Sequence, residues 1–188
     1  MKLNKILLIL ALIFFVTTIQ QCAIEKNKNS RIAFEKDLKK DSLSIKDLMA
    51  NLEIRKPNFT DTIAFSTFNK RYKLRKNLIK KLQLQKVDSG AKKYYAQYGI
   101  DFSNNFNSIV ILSMKNQEVF NYLINYDDNG KMIDKLLISS DIEGGIRQSE
   151  ISGNKIVILE AYAAGKQAII EDLGALVLNN QGKFESQE

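Results

Sequence analysis

The sequence predicts an α+β fold: two short N-terminal helices followed by an antiparallel β-meander of about seven to eight strands forming a curved sheet. Three observations carry this prediction. Val119 to Tyr126 alternates with a period of two, placing Phe120, Tyr122, Ile124 and Tyr126 on one face. An Asp127-Asp128-Asn129-Gly130-Lys131 turn follows, and Met132 to Ser139 returns as a second apolar stretch. Later strands are joined by equally short turns, which excludes parallel pairing between them because parallel strands need long crossovers.

The chain begins with Lys2 and Lys5, then an unbroken apolar run of 11 residues from Ile6 to Val16. A membrane-spanning helix needs roughly 20 apolar residues, so this run reads as a signal peptide, residues 1–21. The sole cysteine, Cys22, follows Ile19-Gln20-Gln21. That arrangement resembles the lipobox of bacterial lipoprotein precursors. Ile19 suits its aliphatic position, whereas Gln20 and Gln21 depart from its small residues. The alternatives are an ordinary secretory signal with an incidental cysteine, or an uncleaved anchor. A lone cysteine excludes an intrachain disulfide. Residues 22–41, mostly charged or polar after Cys22 with Lys26, Lys28, Asn29, Ser30, Lys36, Lys39 and Lys40, suit a lipidated cysteine and flexible tether. Residues 42–188 are then a single α+β domain.

Charge is unevenly spread. From Cys22 to Lys92 there are 18 Lys and Arg against 8 Asp and Glu; from Lys93 to Glu188 the count is 8 against 13. A dipolar surface follows, not a general polyanion binder.

Ser44-Ile45-Lys46-Asp47 has the form of a helix start, with Ser44 as cap and Asp47 near the positive helix end. Leu48, Leu52 and Ile54 supply the apolar side, and Pro57 closes the segment. Thr60 to Phe68 reads as a short strand. Leu74, Leu78, Ile79 and Leu82 fall at helical spacing and predict an amphipathic helix over Tyr72 to Leu84. This stretch carries Lys70, Arg71, Lys73, Arg75, Lys76, Lys80 and Lys81, a candidate surface for anionic contacts. Clustered cations near a membrane attract negative surfaces by about 1 kcal/mol each. The plainer reading is a solvated outer face.

From Tyr94 to Phe102 the period is again two, with Tyr94, Ala96, Tyr98, Ile100 and Phe102 on one face. Ser108 to Met114 is the next strand, and Lys115-Asn116-Gln117 turns into the Val119 hairpin. In that hairpin a two-residue Asn-Gly loop would oppose Ile124 to Lys135. A three-residue loop with Gly130 in the left-handed region pairs Tyr126 with Met132, Tyr122 with Leu136 and Phe120 with Ile138, and is preferred because one face stays apolar except at Ile124 with Asp134. Gly153-Asn154 makes a two-residue turn before a strand from Ile156 to Tyr162. Ala168 to Ile170 and Ala175 to Leu178 follow. Asn179-Asn180-Gln181-Gly182-Lys183 repeats the earlier turn ahead of Phe184.

These features together resemble small envelope lipoproteins common in Bacteroidota: Cys22 in its lipobox-like setting, a short helix ending near Pro57, and the Tyr126–Lys131 turn followed by Ile133 and Asp134. The resemblance implies a location and a β-rich architecture, and no catalytic residues.

Chemistry is sparse. The chain has no histidine, which removes Ser-His-Asp and Cys-His catalysis and the commonest zinc ligand. No Walker loop or Gly-x-Gly-x-x-Gly occurs, and Gly144-Gly145 reads as a loop. Asn125-x-Asp127-x-Asn129-Gly130 matches half a calcium loop, but position twelve is Leu136. Asp134 with Asp141, or Glu171 with Asp172, are the candidate acid pairs, and acids near turns are usually solvated. Tyrosines 94, 95, 98, 122, 126 and 162 offer a binding surface or, more simply, sheet packing.

The expectation is a non-catalytic, membrane-tethered binding module of the cell envelope. It needs no cofactor or metal. Its partners are the membrane, through an N-terminal lipid, and an acidic protein or anionic lipid headgroups. Export argues against nucleic acid. The alternative is a periplasmic immunity or inhibitor lipoprotein blocking a toxin or lytic enzyme. An envelope hydrolase is a third class, requiring convergent carboxylates.

Overall fold

Among the described residues eleven strands join one mixed sheet, accompanied by two short α-helices and a 3-10 turn. A computed structural model describes residues 44–63, 72–164 and 167–187, all within the unit Asp41–Glu188. The expected signal peptide, Cys22, the expected tether, residues 64–68 of the expected Thr60–Phe68 strand, and Lys70 and Arg71 lie outside the described residues.

Helix α1 (Ile45–Met49) is short and well started. Ser44 Oγ accepts from Asp47 N at 3.1 Å, and Asp47 Oδ2 accepts from Ser44 N at 2.8 Å, so two orphan donors are satisfied reciprocally. Leu48 and Leu52 are buried as expected. Ile54 is not: it lies in β1 (Ile54–Arg55), paired in parallel with Gly99, and is 48% exposed. The helical period therefore ends before it. Past Pro57, β2 (Asn58–Asp61) pairs antiparallel with Ser149–Ser152, so this strand begins two residues before the expected Thr60, and Thr62 and Ile63 are not part of it.

The predicted Tyr72–Leu84 helix is divided. Tyr72–Lys73 forms β3 against Tyr95–Ala96, only Lys76–Lys81 is helix (α2), and Gln83 takes a left-handed φ of +54° before a 3-10 turn at Leu84–Lys86. A non-glycine residue at positive φ cannot continue a right-handed helix. The apolar spacing was nevertheless informative, since Leu74, Leu78, Leu82 and Leu84 are all buried.

Strands β4 (Lys93–Ile100), β5 (Asn107–Lys115), β6 (Glu118–Tyr126), β7 (Met132–Ile142), β8 (Gly145–Ser152), β9 (Lys155–Ala164), β10 (Gln167–Leu178) and β11 (Phe184–Ser186) pair antiparallel in chain order. These eight are the predicted meander; the sheet is larger because β1, β2 and β3 add to it. One face of β4–β7 packs with β8–β10: Tyr98, Val110, Leu123, Ile138, Ile151 and Ile156 form one core with Phe59, Leu176 and Phe184. The other face carries Tyr94 and Tyr126, whose hydroxyls reach back to the carbonyls of Leu84 and Leu82 (3.2 and 2.9 Å). The sheet is thus buried on both sides of β5, which explains its nearly unbroken apolar run.

Bulges correct three expectations. The Tyr94–Phe102 alternation breaks at Gln97, where the β4–β5 register shifts between Ala96 and Tyr98. Tyr94 and Ala96 consequently face the helices, while Tyr98 and Ile100 face the main core. In the central hairpin Tyr126 does pair with Met132. Shifts at Ile133 and Ile138 then bring Tyr122 opposite Leu137, Phe120 opposite Ser140 and Ile124 opposite Lys135, not the partners the three-residue register gives beyond Tyr126. The segments Ala168–Ile170 and Ala175–Leu178 belong to one strand, β10, interrupted by a bulge at Leu173.

The two repeated turns are alike in atomic detail. Asp127 Oδ1 accepts from the backbone N–H of Asn129 and Lys131 (2.9 and 2.8 Å), and Asn179 Oδ1 from those of Gln181 and Lys183 (2.9 and 3.0 Å). Gly130 and Gly182 sit at φ +79° and +81°, the left-handed position each turn requires. The second turn also reaches across the sheet. Asn125 Nδ2 donates to Gly182 O at 2.8 Å, and Phe184 N donates to Asp134 Oδ2 at 3.0 Å, tying β11 back to β7.

Candidate functional site

The cationic surface is built by a leucine stripe that turns its neighbours outward. Leu74 N donates to Tyr94 O at 2.8 Å, and Leu74, Leu78 and Leu82 are at most 3% exposed. With that side inward, Lys73, Arg75, Lys76, Lys80 and Lys81 are all exposed. Lys80 and Lys81 occupy the last turn of α2, where cations complement the helix dipole. No carboxylate among the described residues forms an ion pair with Lys73, Arg75, Lys76 or Lys80. Lys86 extends the surface past the helix, its ammonium held by Gln83 Oε1 at 2.8 Å. Lys135 joins from β7, donating to the carbonyls of Lys86 and Val87 (3.1 Å to Val87). Sequence reading missed Lys135 because it lies 49 residues from Lys86 in the chain.

The candidate calcium ligands are otherwise engaged. Asn125 is fully buried, with Oδ1 accepting from Ser108 Oγ at 2.7 Å, and Asp127 Oδ1 holds its own turn. No group of three or more metal-ligating side chains occurs among the described residues. The acid pairs do not converge. Asp134 and Asp141 lie seven residues apart on one strand, on the order of 20 Å. Glu171 and Asp172 are successive strand residues and point to opposite faces. Glu171 Oε1 accepts from Tyr162 Oη at 2.6 Å, and Asp172 Oδ1 from Gly174 N at 2.8 Å.

The carboxylate that the sequence did not advertise is Asp61. It is 3% exposed and faces the core at the end of β2. Tyr98 Oη donates to Oδ1, Ser139 Oγ donates to Oδ2, and Asn121 Nδ2 donates to Oδ2 at 3.3 Å. Burial, followed by the charge of Asp61 and its hydrogen bond, pushes the Tyr98 phenol up. Arg55 lies 3.7 Å over the Tyr98 ring and acts weakly in the opposite direction, while its Nε meets Glu53 Oε1 at 2.9 Å. The arrangement ties β2, β4, β6 and β7 together. Every oxygen of Asp61 faces a donor, so its chemistry is that of an anchor.

The tyrosines follow the simpler expectation in the main: Tyr94, Tyr95, Tyr98 and Tyr126 are buried. An open cleft of about 490 Å³ lies between α1, the β4–β5 connection and the Asp127–Lys131 turn, lined by Lys46, Met49, Ile54, Asp101, Phe106 and Asp128. Lys46 Nζ and Asp128 Oδ1 close 3.2 Å across its rim, an exposed pair worth at most about 1 kcal/mol. A second, acidic hollow beside the β5–β6 and β7–β8 turns has Glu118, Asp141 and Glu143 in its wall. Among the described residues no helix is long and apolar enough to cross a membrane. Compared with protein-family models, curated proteins and solved structures, the chain matches none of them.

Proposed function

We propose that the chain is a non-catalytic, membrane-tethered binding module of the cell envelope, of the small envelope lipoprotein type. The lipobox-like Ile19-Gln20-Gln21-Cys22 supports the tether, with acyl chains on Cys22 inserting into the membrane. The observation that carries the reading is the exposed set Lys73, Arg75, Lys76, Lys80 and Lys81, presented from one anchored segment. A tether would keep this set close to headgroups, where each cation gains about 1 kcal/mol from an anionic surface. Lys70 and Arg71 belong to the same stretch of sequence.

The test reverses Lys73, Lys76 and Lys80 to Glu in a form beginning after Cys22. The wild type should co-sediment with anionic vesicles at low salt and leave them at high salt, as the Debye length falls from ~10 Å at 0.1 M to ~3 Å at 1 M. The triple variant should stay in solution while melting within ~0.5 kcal/mol of wild type, since its changes lie off the buried stripe. Failure of the wild type to sediment at low salt would sink the headgroup reading. The inhibitor alternative differs in expecting tight one-to-one capture of a single toxin or lytic enzyme, which a pull-down from envelope extracts separates from binding to lipid.

A further inference from the structure

The long β9–β10 ribbon has an edge that the other described strands leave open from Gln167 to Asp172. β11 pairs with β10 only at Leu176–Leu178, and Gln187 N reaches Ala175 O at 3.0 Å. The bulge at Leu173, next to Gly174 at φ +106°, interrupts the β9–β10 ladder just before that pairing begins. From Gln167 to Asp172 the strand pairs with β9 on one side, and no strand among the described residues pairs with the other. This stretch is also unusually apolar for an open edge. Ile169, Ile170 and Leu173 are 38%, 71% and 46% exposed, and Ile146, two strands away in the Ile146–Ala161–Ile170 row, is 47% exposed.

An open strand edge offers unpaired backbone donors and acceptors, and exposed apolar side chains beside it add contact area. Charge selects the occupant. Glu171 and Asp172 follow the isoleucine pair directly, whereas Glu160, opposite Glu171 on β9, is already paired with Arg147 at 3.2 Å and adds little to the edge. A second copy paired edge to edge would bring a second Glu171 and Asp172 onto the same ladder, and like charges across strands are destabilising. A strand with basic residues beside apolar ones meets the same edge favourably.

We propose that the β10 edge from Ile169 to Leu173 takes an added strand from a protein partner, an extended segment in which a basic pair adjoins an apolar pair. The inference rests on the reading of the chain as a binding module, and not on its cationic surface. Ile169 and Ile170 receive the apolar pair; Glu171 and Asp172 receive the basic pair, one on each face of the sheet.

The probe is a labelled capped peptide, Thr-Lys-Lys-Val-Val-Thr, with Thr-Glu-Glu-Val-Val-Thr as its reverse, titrated into the full chain held in detergent. The basic peptide should bind about 10-fold tighter than the acidic one, from two cross-strand charge pairs, and should slow amide exchange at Ile169–Leu173. Glu171→Lys with Asp172→Lys should invert the preference, and Ile170→Lys should weaken the basic peptide without moving the melting point. A preference that survives the charge swap, or exchange unchanged at Ile169–Leu173, overturns the proposal. Concentration-dependent self-association abolished by Ile170→Lys overturns it in favour of a second copy. Loss of vesicle binding in the Lys73, Lys76 and Lys80 variant with peptide binding intact separates the two surfaces. Intact vesicle binding without peptide binding removes only the edge.

Discussion

Replacing Asp61 by Ala should be among the most damaging single changes in this domain. The substitution removes the acceptor for Tyr98 Oη, Ser139 Oγ and Asn121 Nδ2 while those groups stay buried, all at 4% exposure or less. A buried donor left unpaired costs about 1–3 kcal/mol. Three of them, with some relaxation, place the loss at about 3–6 kcal/mol, against a typical total of about 5–15 kcal/mol. Arg55 is no counterweight, since it lies near the surface and keeps Glu53 as a partner. Tyr98→Phe deletes one hydrogen bond to a charged group and should cost about 1.5–3 kcal/mol, and Ser139→Ala about 1–2 kcal/mol. Urea denaturation followed by tyrosine fluorescence is a suitable assay, because the chain has no tryptophan. Asp61→Ala within ~1 kcal/mol of wild type would refute the anchor, as would additive losses in the Asp61→Ala, Tyr98→Phe double mutant, since groups sharing a hydrogen bond must couple.

Further expectations concern pH, turns and a cap. Burial, with Asp88 and Tyr122 adding, pushes the Tyr94 phenol up to about 12, and burial also raises Tyr98 and Tyr126. Below pH 10 folded and unfolded chains both hold these protons; above it the unfolded chain loses them first, so stability should fall as pH rises from 10 through about 12. Each buried tyrosine contributes about 1.4 kcal/mol per pH unit to that fall. A titration of tyrosinate absorbance in which every tyrosine ionises near pH 10 without unfolding would contradict this. Gly130→Val should destabilise by about 1 kcal/mol or more through its left-handed φ. Gly182→Val should cost more, because its new Cβ would also meet the Phe106 ring at 3.1 Å; thermal melts that reverse this order would count against the geometry. Ser44→Ala should lose about 1 kcal/mol through the α1 cap, and an unchanged melt would remove the capping box from the account.

Local signals were legible and extra residues were not. The Asp127–Lys131 and Asn179–Lys183 turns were readable because an acceptor side chain, two polar residues and a glycine can close only a few ways. Ser44 announced α1 for the same reason. The bulges at Gln97, Ile133, Ile138 and Leu173 were silent, since each inserts one residue without breaking the apolar composition. They moved Tyr94 and Tyr98 to opposite faces. The early end of α2 hung on Gln83, whose left-handed backbone has no compositional mark. The anionic-contact candidates were readable in composition as a run of Lys and Arg, but Lys135 came from another strand. Asp61 was invisible because its donors lie 37, 60 and 78 residues away. Nothing in one sequence links Tyr98, Asn121 and Ser139 before the sheet curls.

The central claim is that this module is held at a membrane by its N-terminal cysteine, and metabolic labelling with a fatty-acid probe tests it most directly. The full chain is expressed with its own leader, as wild type and as Cys22→Ser, and both are fractionated. The account predicts a label on the wild type in the membrane fraction and none on Cys22→Ser. Equal labelling of the two, or an unlabelled wild type, would contradict it.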